Sequence, residues 1–118
     1  MVERLVRDQK VAGSNPAAPR LSIRDGMKKR VHVFYAGRVQ GVGFRMTAEE
    51  TAQGFGVVGW VKNLRGGKVE LVAEADEPTL QRFLEAIRGG PMKNFIVQED
   101  ISWSSASETF NEFEIRYY

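Results

Sequence analysis

The sequence has no cysteine and a single histidine, His32, among its 118 residues. Without cysteine the chain can form neither disulfide bonds nor thiolate metal sites, and one histidine cannot hold a zinc ion by itself. No apolar run approaches the ~20 residues that a membrane-spanning helix needs. We therefore expect a protein that needs no metal ion and has no membrane partner.

Net positive charge is also absent from most of the chain. The sequence holds 17 basic and 15 acidic residues, and residues 1–26 account for five of the basic and three of the acidic ones. The remaining residues therefore carry no net charge. A nucleic-acid-binding domain usually has a basic face of its own, so this balance disfavours such a partner.

Residues 1–26 show no sustained helical or strand period, and the segment 12–19 is rich in Gly, Asn and Pro. We expect a mobile N-terminal extension, followed by one domain over residues 27–118. No apolar segment follows the first charges, so the extension is not a secretory signal, and we expect a cytoplasmic protein. Gly13–Pro16 can be encoded by DNA that resembles the T-arm of a tRNA gene. One hypothesis is that residues 1–26 are not natural coding sequence and that Met27 is the natural start.

A stretch with three glycines, Gly37–Arg45, separates an alternating apolar run from a helical pattern. The pattern predicts a strand, a glycine-rich loop and the N-terminus of a helix. Glycine allows positive φ and a close approach to a ligand. The first N–H groups of a helix lack intrahelical partners and, with the helix dipole, favour anions. Arg45 could add a fork of donors suited to phosphate or carboxylate.

Two better-known phosphate loops do not fit this stretch. A Walker A loop ends in Gly-Lys-Ser/Thr, whereas Gly43 is followed by Phe44 and Arg45. The dinucleotide-binding fingerprint needs a third glycine where the chain has Met46, and no series of strand–helix repeats predicts a Rossmann fold. On the glycines alone, a tight strand-to-helix turn with a solvated arginine explains the pattern equally well.

Apolar periodicity predicts a ferredoxin-like α+β domain of βαββαβ order with a short extra C-terminal strand. Its sheet is mostly antiparallel, with two helices on one face. Strands one and two are then parallel to each other, which places the loop beside Asn63 at the end of strand two. The predicted strands are Arg30–Ala36, Val57–Asn63, Lys68–Ala75, Phe95–Trp103 and Phe110–Tyr118, and the helices are Phe44–Phe55 and a second one from Glu77 to Gly89.

The loop Gly37-Arg38-Val39-Gln40-Gly41-Val42-Gly43-Phe44-Arg45 resembles the signature loop of the acylphosphatases. A second block of that family is similar to Gly59-Trp60-Val61-Lys62-Asn63, followed by Gly66-Gly67-Lys68-Val69-Glu70, and a weaker third to Gly90-Pro91. The resemblance covers Arg30 to Tyr118.

The resemblance implies hydrolysis of acyl phosphates to carboxylate and phosphate, without a cofactor. It assigns phosphate binding and catalysis to Arg45 and orientation of the attacking water to Asn63. The expected phosphate-binding residues, largely through their backbone, are Arg38, Val39, Gln40, Gly41, Val42, Gly43, Phe44 and Arg45. We expect a monomer whose partner is a small-molecule acyl phosphate.

Two other functions are compatible with the sequence. One is a domain that handles carbamoyl phosphate, because hydrogenase-maturation proteins carry an acylphosphatase-like domain. The other is a non-catalytic anion or RNA binder on a ferredoxin-like fold, which would need exposed aromatics such as Phe34 and a basic surface. The neutral charge of the domain counts against RNA.

Overall fold

The computed structural model of the protein describes residues 28–117. The predicted N-terminal extension and the question of a start at Met27 lie outside the described residues, as does Tyr118. Within the described part, strands and helices follow one another in the predicted order. Their bounds are β1 Lys28–Gly37, α1 Phe44–Phe55, β2 Val58–Asn63, β3 Val69–Asp76, α2 Glu77–Gly89, β4 Ile96–Ser105 and β5 Phe113–Arg116, with a short 3-10 helix Lys93–Phe95 before β4.

The five strands form one sheet in the order β4-β1-β3-β2-β5. β1 and β2 both pair antiparallel with β3, which lies between them, and β4 pairs antiparallel with β1. Because β1 and β2 share this antiparallel neighbour, they run in the same direction and end at the same edge of the sheet. The β5 strand pairs parallel with β2 and therefore also ends there. The predicted ferredoxin-like α+β fold is confirmed.

The core lies between one face of the sheet and both helices. Alternate residues of β1, namely Val31, Val33 and Tyr35, are fully buried, as the period of two predicts. The helices contribute Phe44, Ala48 and Ala52 from α1 and Leu80, Phe83, Leu84 and Ile87 from α2. Each fully buried Leu, Ile or Phe side chain stabilises the fold by about 1.5–3 kcal/mol, so this layer holds the sheet and helices in register.

The helical spacing of Phe44, Ala48, Thr51, Ala52 and Phe55 predicts one apolar stripe along α1, and this prediction is wrong at Phe55. Phe55 is the last residue of the helix and is exposed, because the chain turns away at Gly56 in a left-handed conformation. The bounds of all five strands also differ from the predicted ones by one to three residues at one end or both. The largest difference is in β5, which is limited to Phe113–Arg116.

The outer face of the sheet carries paired charges rather than an open aromatic surface. His32 contacts the ring of Phe34 and pairs with Glu70 through Nε2 and Oε2, 2.6 Å apart. Lys62 and Arg116 lie over the ring of Trp60, at 5.3 and 5.1 Å from its centre. The alternation along β1 places His32 on the face opposite the core, and it takes no part in the glycine-rich loop. Within residues 28–117 no helix is long and apolar enough to cross a membrane.

Candidate active site

The loop between β1 and α1 depends on glycine at three turns. Gly37, Gly41 and Gly43 have φ values of 130°, 77° and 84°. At Gly37 a Cβ atom would overlap the carbonyl oxygen of Phe95, so a side chain is excluded there. Gly43 is the N-cap of α1 in a left-handed conformation, which few other residues adopt. The sequence thus encodes both the direction of the loop and the start of the helix.

This geometry leaves N–H groups available for an anion. No backbone hydrogen bond between residues of the described range uses the N–H of Gly41 or Gly43. The first N–H groups of α1 are free by the geometry of a helix. No side chain caps this end, and its first turn contains no acidic residue. Together with the positive end of the helix dipole, these groups favour an anion at this end of α1.

Three contacts below the loop hold it in place. Val39 is fully buried, and the ring of Tyr35 lies 5.0 Å from that of Phe44. The N–H of Arg38 donates to the carbonyl of Phe95 at 2.9 Å. Burial, with the nearby Glu99 carboxylate, raises the pKa of Tyr35 well above its ordinary value of 10.0. Tyr35 therefore stays neutral. It packs against Phe44 and does not act as an acid or base.

Arg45 lies in the first turn of α1, beside these N–H groups. The central carbon of its guanidinium group lies 4.9 Å from the ring centre of Tyr117, just after β5. No acidic side chain in the described range forms an ion pair with Arg45. A cation–π contact steadies the side chain without supplying an anion, so its N–H donors remain suited to an oxyanion.

Asn63 ends β2 and lines the same cavity as Arg45. Its side-chain oxygen Oδ1 is buried and has no hydrogen-bond partner within residues 28–117. A buried unpaired amide oxygen is costly and is typical of functional sites. The cavity measures about 170 Å³ and is lined by Val39, Gly41, Gly43, Phe44, Arg45, Met46, Asn63, Ile115 and Tyr117.

The structure thus brings together most, but not all, of the residues predicted for the site. Arg38, Gln40 and Val42 do not line the cavity. The N–H of Arg38 donates to the carbonyl of Phe95, and a contact from Arg38 to phosphate stays a prediction.

One wall of the cavity was not foreseen. Met46, Ile115 and Tyr117 form it, and Met46 and Tyr117 are among the few large apolar side chains that are exposed in the described range. The parallel pairing of β5 with β2 brings Ile115 and Tyr117 there. The alternation of Phe113, Ile115 and Tyr117 was a signal for a shared face, but it did not indicate which edge of the sheet β5 would join.

Two segments near the cavity carry basic residues and no acidic ones, and one of these basic residues, Lys62, pairs with Glu70 on the outer face of the sheet. Residues 37–47 contain Arg38 and Arg45, residues 62–68 contain Lys62, Arg65 and Lys68, and neither segment contains an acidic residue. Both segments meet at this end of the sheet, so the neutral balance of the domain conceals a locally basic end. No group of His, Asp and Glu side chains among residues 28–117 could hold a metal ion.

The described geometry agrees with comparisons to known proteins. The model of the acylphosphatase family matches residues 31–115. The chain belongs to the acylphosphatase family. An acylphosphatase from Salinibacter ruber is 40% identical over 91 residues, which cover 77% of this chain and 96% of that protein. The sequence-based prediction of this family is confirmed.

Solved structures support the same assignment. The crystal structure of acylphosphatase from Bacillus subtilis has a TM-score of 0.71 and 36% identity, and the match covers 75% of this chain and 99% of that one. Full-length HypF, in a phosphate- and nucleotide-bound form, has a TM-score of 0.69 and 26% identity. The match to HypF covers only 12% of that protein, so the likeness is to one part of a much longer chain.

Proposed function

We propose that this protein hydrolyses the carboxyl–phosphate bond of acyl phosphates, with Arg45 and the loop N–H groups holding the phosphate and Asn63 orienting the water. Family membership supports the reaction. The observation that carries the assignment of roles is that Arg45, Asn63 and the glycine-rich loop line one cavity.

The reaction requires little general acid–base catalysis. The water oxygen bonds to phosphorus while the bond from phosphorus to the bridging oxygen breaks, and the carboxylate leaves with the electron pair. A carboxylate is already a stable anion, so the leaving group needs no proton. One proton of the water is released as inorganic phosphate forms. What remains is to neutralise and position the phosphoryl group.

The residues of the cavity fit this task. The guanidinium of Arg45 and the N–H groups of Gly41, Gly43 and the first turn of α1 can hold the phosphoryl oxygens as charge develops. The side chain of Asn63 has both a donor and an acceptor, so it can fix a water in line with the bond that breaks. No metal ion is needed for these steps.

The apolar wall favours benzoyl phosphate as a test substrate. The carbon part of an acyl group can lie against Met46, Ile115 and Tyr117, while the phosphate occupies the loop. An aromatic acyl group would bury apolar surface there, which stabilises binding without a further charge.

Phosphate release from benzoyl phosphate in the presence of EDTA tests the proposal on the full chain. Removing one preorganised charge-stabilising group typically costs about 10²–10³ in rate, so Arg45→Ala and Asn63→Ala should each lose at least ~10²-fold in kcat. The matched controls are Arg82→Ala on α2 and Asn94→Ala in the 3-10 helix, both exposed positions. They should keep the activity of the unchanged chain.

Different results would reject different parts of the proposal. Turnover that disappears in EDTA would show that a metal ion is required. Full activity of Asn63→Ala would remove its role with water. Folded protein that binds inorganic phosphate but releases none from any acyl phosphate would be an anion-binding module.

The two other candidate functions receive less support. The match to HypF covers 12% of that protein, whereas the match to the Salinibacter acylphosphatase covers 96% of it. For RNA, the outer face of the sheet carries Glu70, Glu114 and Asp100 beside its aromatic rings. Carboxylates on this face repel a phosphate backbone.

A further inference from the structure

The side chain of Gln40 joins the two segments that build the active site. Its amide nitrogen Nε2 donates to the carbonyl of Leu64 at 2.7 Å and to the carbonyl of Lys68 at 2.8 Å. Leu64 directly follows Asn63, and Lys68 precedes β3. Both N–H protons of the Gln40 side chain are therefore used on the connection between β2 and β3.

The glycine-rich loop does not depend on these bonds for its own shape. The buried Val39, the bond from Arg38 to Phe95, and the packing of Phe44 on Tyr35 all hold it to the body of the domain. The bond from Arg38 and the packing of Phe44 join the loop to Phe95 and to Tyr35 of β1, and neither contact involves residues 64–68.

The connection after Asn63, residues 64–68, is closed by hydrogen bonds between its own backbone groups. The N–H of Leu64 donates to the carbonyl of Lys68 at 2.8 Å, and the N–H of Gly67 donates to that of Leu64 at 3.3 Å. These bonds close the turn, and the sheet holds the strand ends beside it, because Val69 pairs with both Asn63 and Tyr35. Neither set of bonds joins residues 64–68 to the glycine-rich loop itself. Within residues 28–117, the two bonds from Gln40 are the hydrogen bonds that join the loop to residues 64–68.

We infer that Gln40 is a positioning residue that sets Asn63 against the phosphate-binding loop. The inference rests on the proposed function, because it assigns the effect of Gln40 to the water held by Asn63. A water must approach phosphorus along one line, so a shift of Asn63 relative to the loop lowers the rate while leaving phosphate binding in place. Gln40 itself does not line the cavity, and its side-chain amide nitrogen is directed to residues 64 and 68.

The first variant is Gln40→Met in the full chain, which keeps the length of the side chain and removes both donors. Misplacement by about 1 Å can cost ~10²-fold in rate, so kcat for benzoyl phosphate should fall by about 10- to 10²-fold. The inhibition constant of inorganic phosphate should stay that of the unchanged chain. Gln81→Met, at an exposed position of α2, is the matched control and should change neither quantity.

A double-mutant cycle separates positioning from a general loss of stability. If Gln40 acts through Asn63, Gln40→Met should cost nothing further in kcat once Asn63 is alanine. Additive losses in the double variant would overturn the inference. So would a fall in melting temperature with kcat unchanged at temperatures where the variant is folded, because that result marks a structural role only.

A second variant, Gln40→Glu, keeps the test open should Gln40→Met fold poorly. Its carboxylate faces two carbonyl oxygens and cannot donate, whereas the protonated carboxyl can donate one hydrogen bond. The activity of Gln40→Glu relative to the unchanged chain should therefore rise as the pH falls toward the ordinary glutamic acid pKa of about 4.3. A ratio that stays flat with pH would contradict the inference. Failure of the proposed function is a separate result, seen as no turnover by the unchanged chain.

Discussion

Arg45 links α1 to the segment just after β5. Its backbone belongs to the first turn of α1, and its guanidinium group lies over the ring of Tyr117. The ring is 71% exposed, so it contributes little to the core, and its contact with Arg45 is its clearest structural role. Removing the ring of Tyr117 therefore measures how much the orientation of the Arg45 side chain contributes to the rate of hydrolysis.

We expect Tyr117→Ala to lower kcat/KM for benzoyl phosphate modestly. An exposed cation–π contact contributes about 0.5–1 kcal/mol, which corresponds to a factor of ~2 to 5. Tyr117→Phe keeps the ring and should keep the activity. Steady-state kinetics of both variants measure this, and equal losses for Phe and Ala would show that the hydroxyl rather than the ring matters.

Single residues also show what sequence can reveal. Arg45 and Asn63 were predicted because a motif and strand order identified them without coordinates. Gln40 and Tyr117 were harder to interpret, since each acts through a contact between segments that are distant along the chain. A donor such as the Gln40 side chain could be recognised, but its acceptors, two backbone carbonyls of another loop, leave no trace in the residue types.

Among the elements, β3 contains a buried carboxylate that its pattern did not predict. The alternation along β3 places Glu74 on the outer face, and it does lie there, but it is only 2% exposed because the segment after β4 covers it. Its oxygens accept bonds from Arg30 Nε, from the N–H and hydroxyl of Ser107, and from the N–H of Glu108, at 2.8–2.9 Å. This carboxylate fixes the connection between β4 and β5.

Because of these hydrogen bonds, the free energy of unfolding depends on pH. Burial alone would raise the pKa of Glu74, but the bonds from Ser107, Arg30 and Glu108 outweigh it and lower the pKa below its ordinary value of 4.5. A group whose pKa is lower in the folded state stabilises the fold above its unfolded pKa. The contribution is lost as the pH falls below 4.5 through the folded value.

We expect Glu74→Gln to destabilise the protein by about 1–3 kcal/mol at pH 7, since hydrogen bonds to a buried charge are lost. The variant should also lose less stability than the unchanged chain as the pH falls below the ordinary pKa of 4.5. Urea unfolding as a function of pH measures both effects, with the exposed Glu85→Gln as the control. Equal acid sensitivity of Glu74→Gln and the unchanged chain would assign the acid response to other carboxylates.

The periodicity of the sequence predicted which helices and strands form. Tertiary contacts decide at which residues most of them end. The bounds of α1 were predicted correctly because Gly43 and Gly56 punctuate it at both ends. β5 is shorter than its apolar pattern because it pairs only with the part of β2 from Gly59 to Lys62. A pattern of alternating residues shows which side chains share a face, but the neighbouring strand decides how many of them are paired.

At the scale of the molecule, charge is distributed unevenly although its sum over the domain is zero. Arg38, Arg45, Lys62, Arg65 and Lys68 belong to the two segments that meet at the cavity. We expect a substrate with a phosphate group to be attracted to this end before any contact forms.

This attraction should be visible in the salt dependence of the reaction. We expect kcat/KM for benzoyl phosphate to fall as ionic strength rises from about 0.01 to 0.1 M, because the screening length shrinks from ~30 to ~10 Å. Arg65→Gln should flatten this dependence, whereas Arg82→Gln on α2 should not. Parallel slopes for all three proteins would show that the loop alone, and not the surrounding charge, attracts the substrate.

The parallel pairing of β5 with β2 also has a consequence for folding. The cavity needs the loop that starts at Gly37 and the wall that ends at Tyr117, so its parts are separated by most of the described sequence. Contacts of such long sequence separation form slowly and late. A chain that has built only its first strands and helix has the phosphate loop without its wall. Enzyme activity should therefore return during refolding no earlier than the last strand docks, which makes turnover a direct reporter of completed folding.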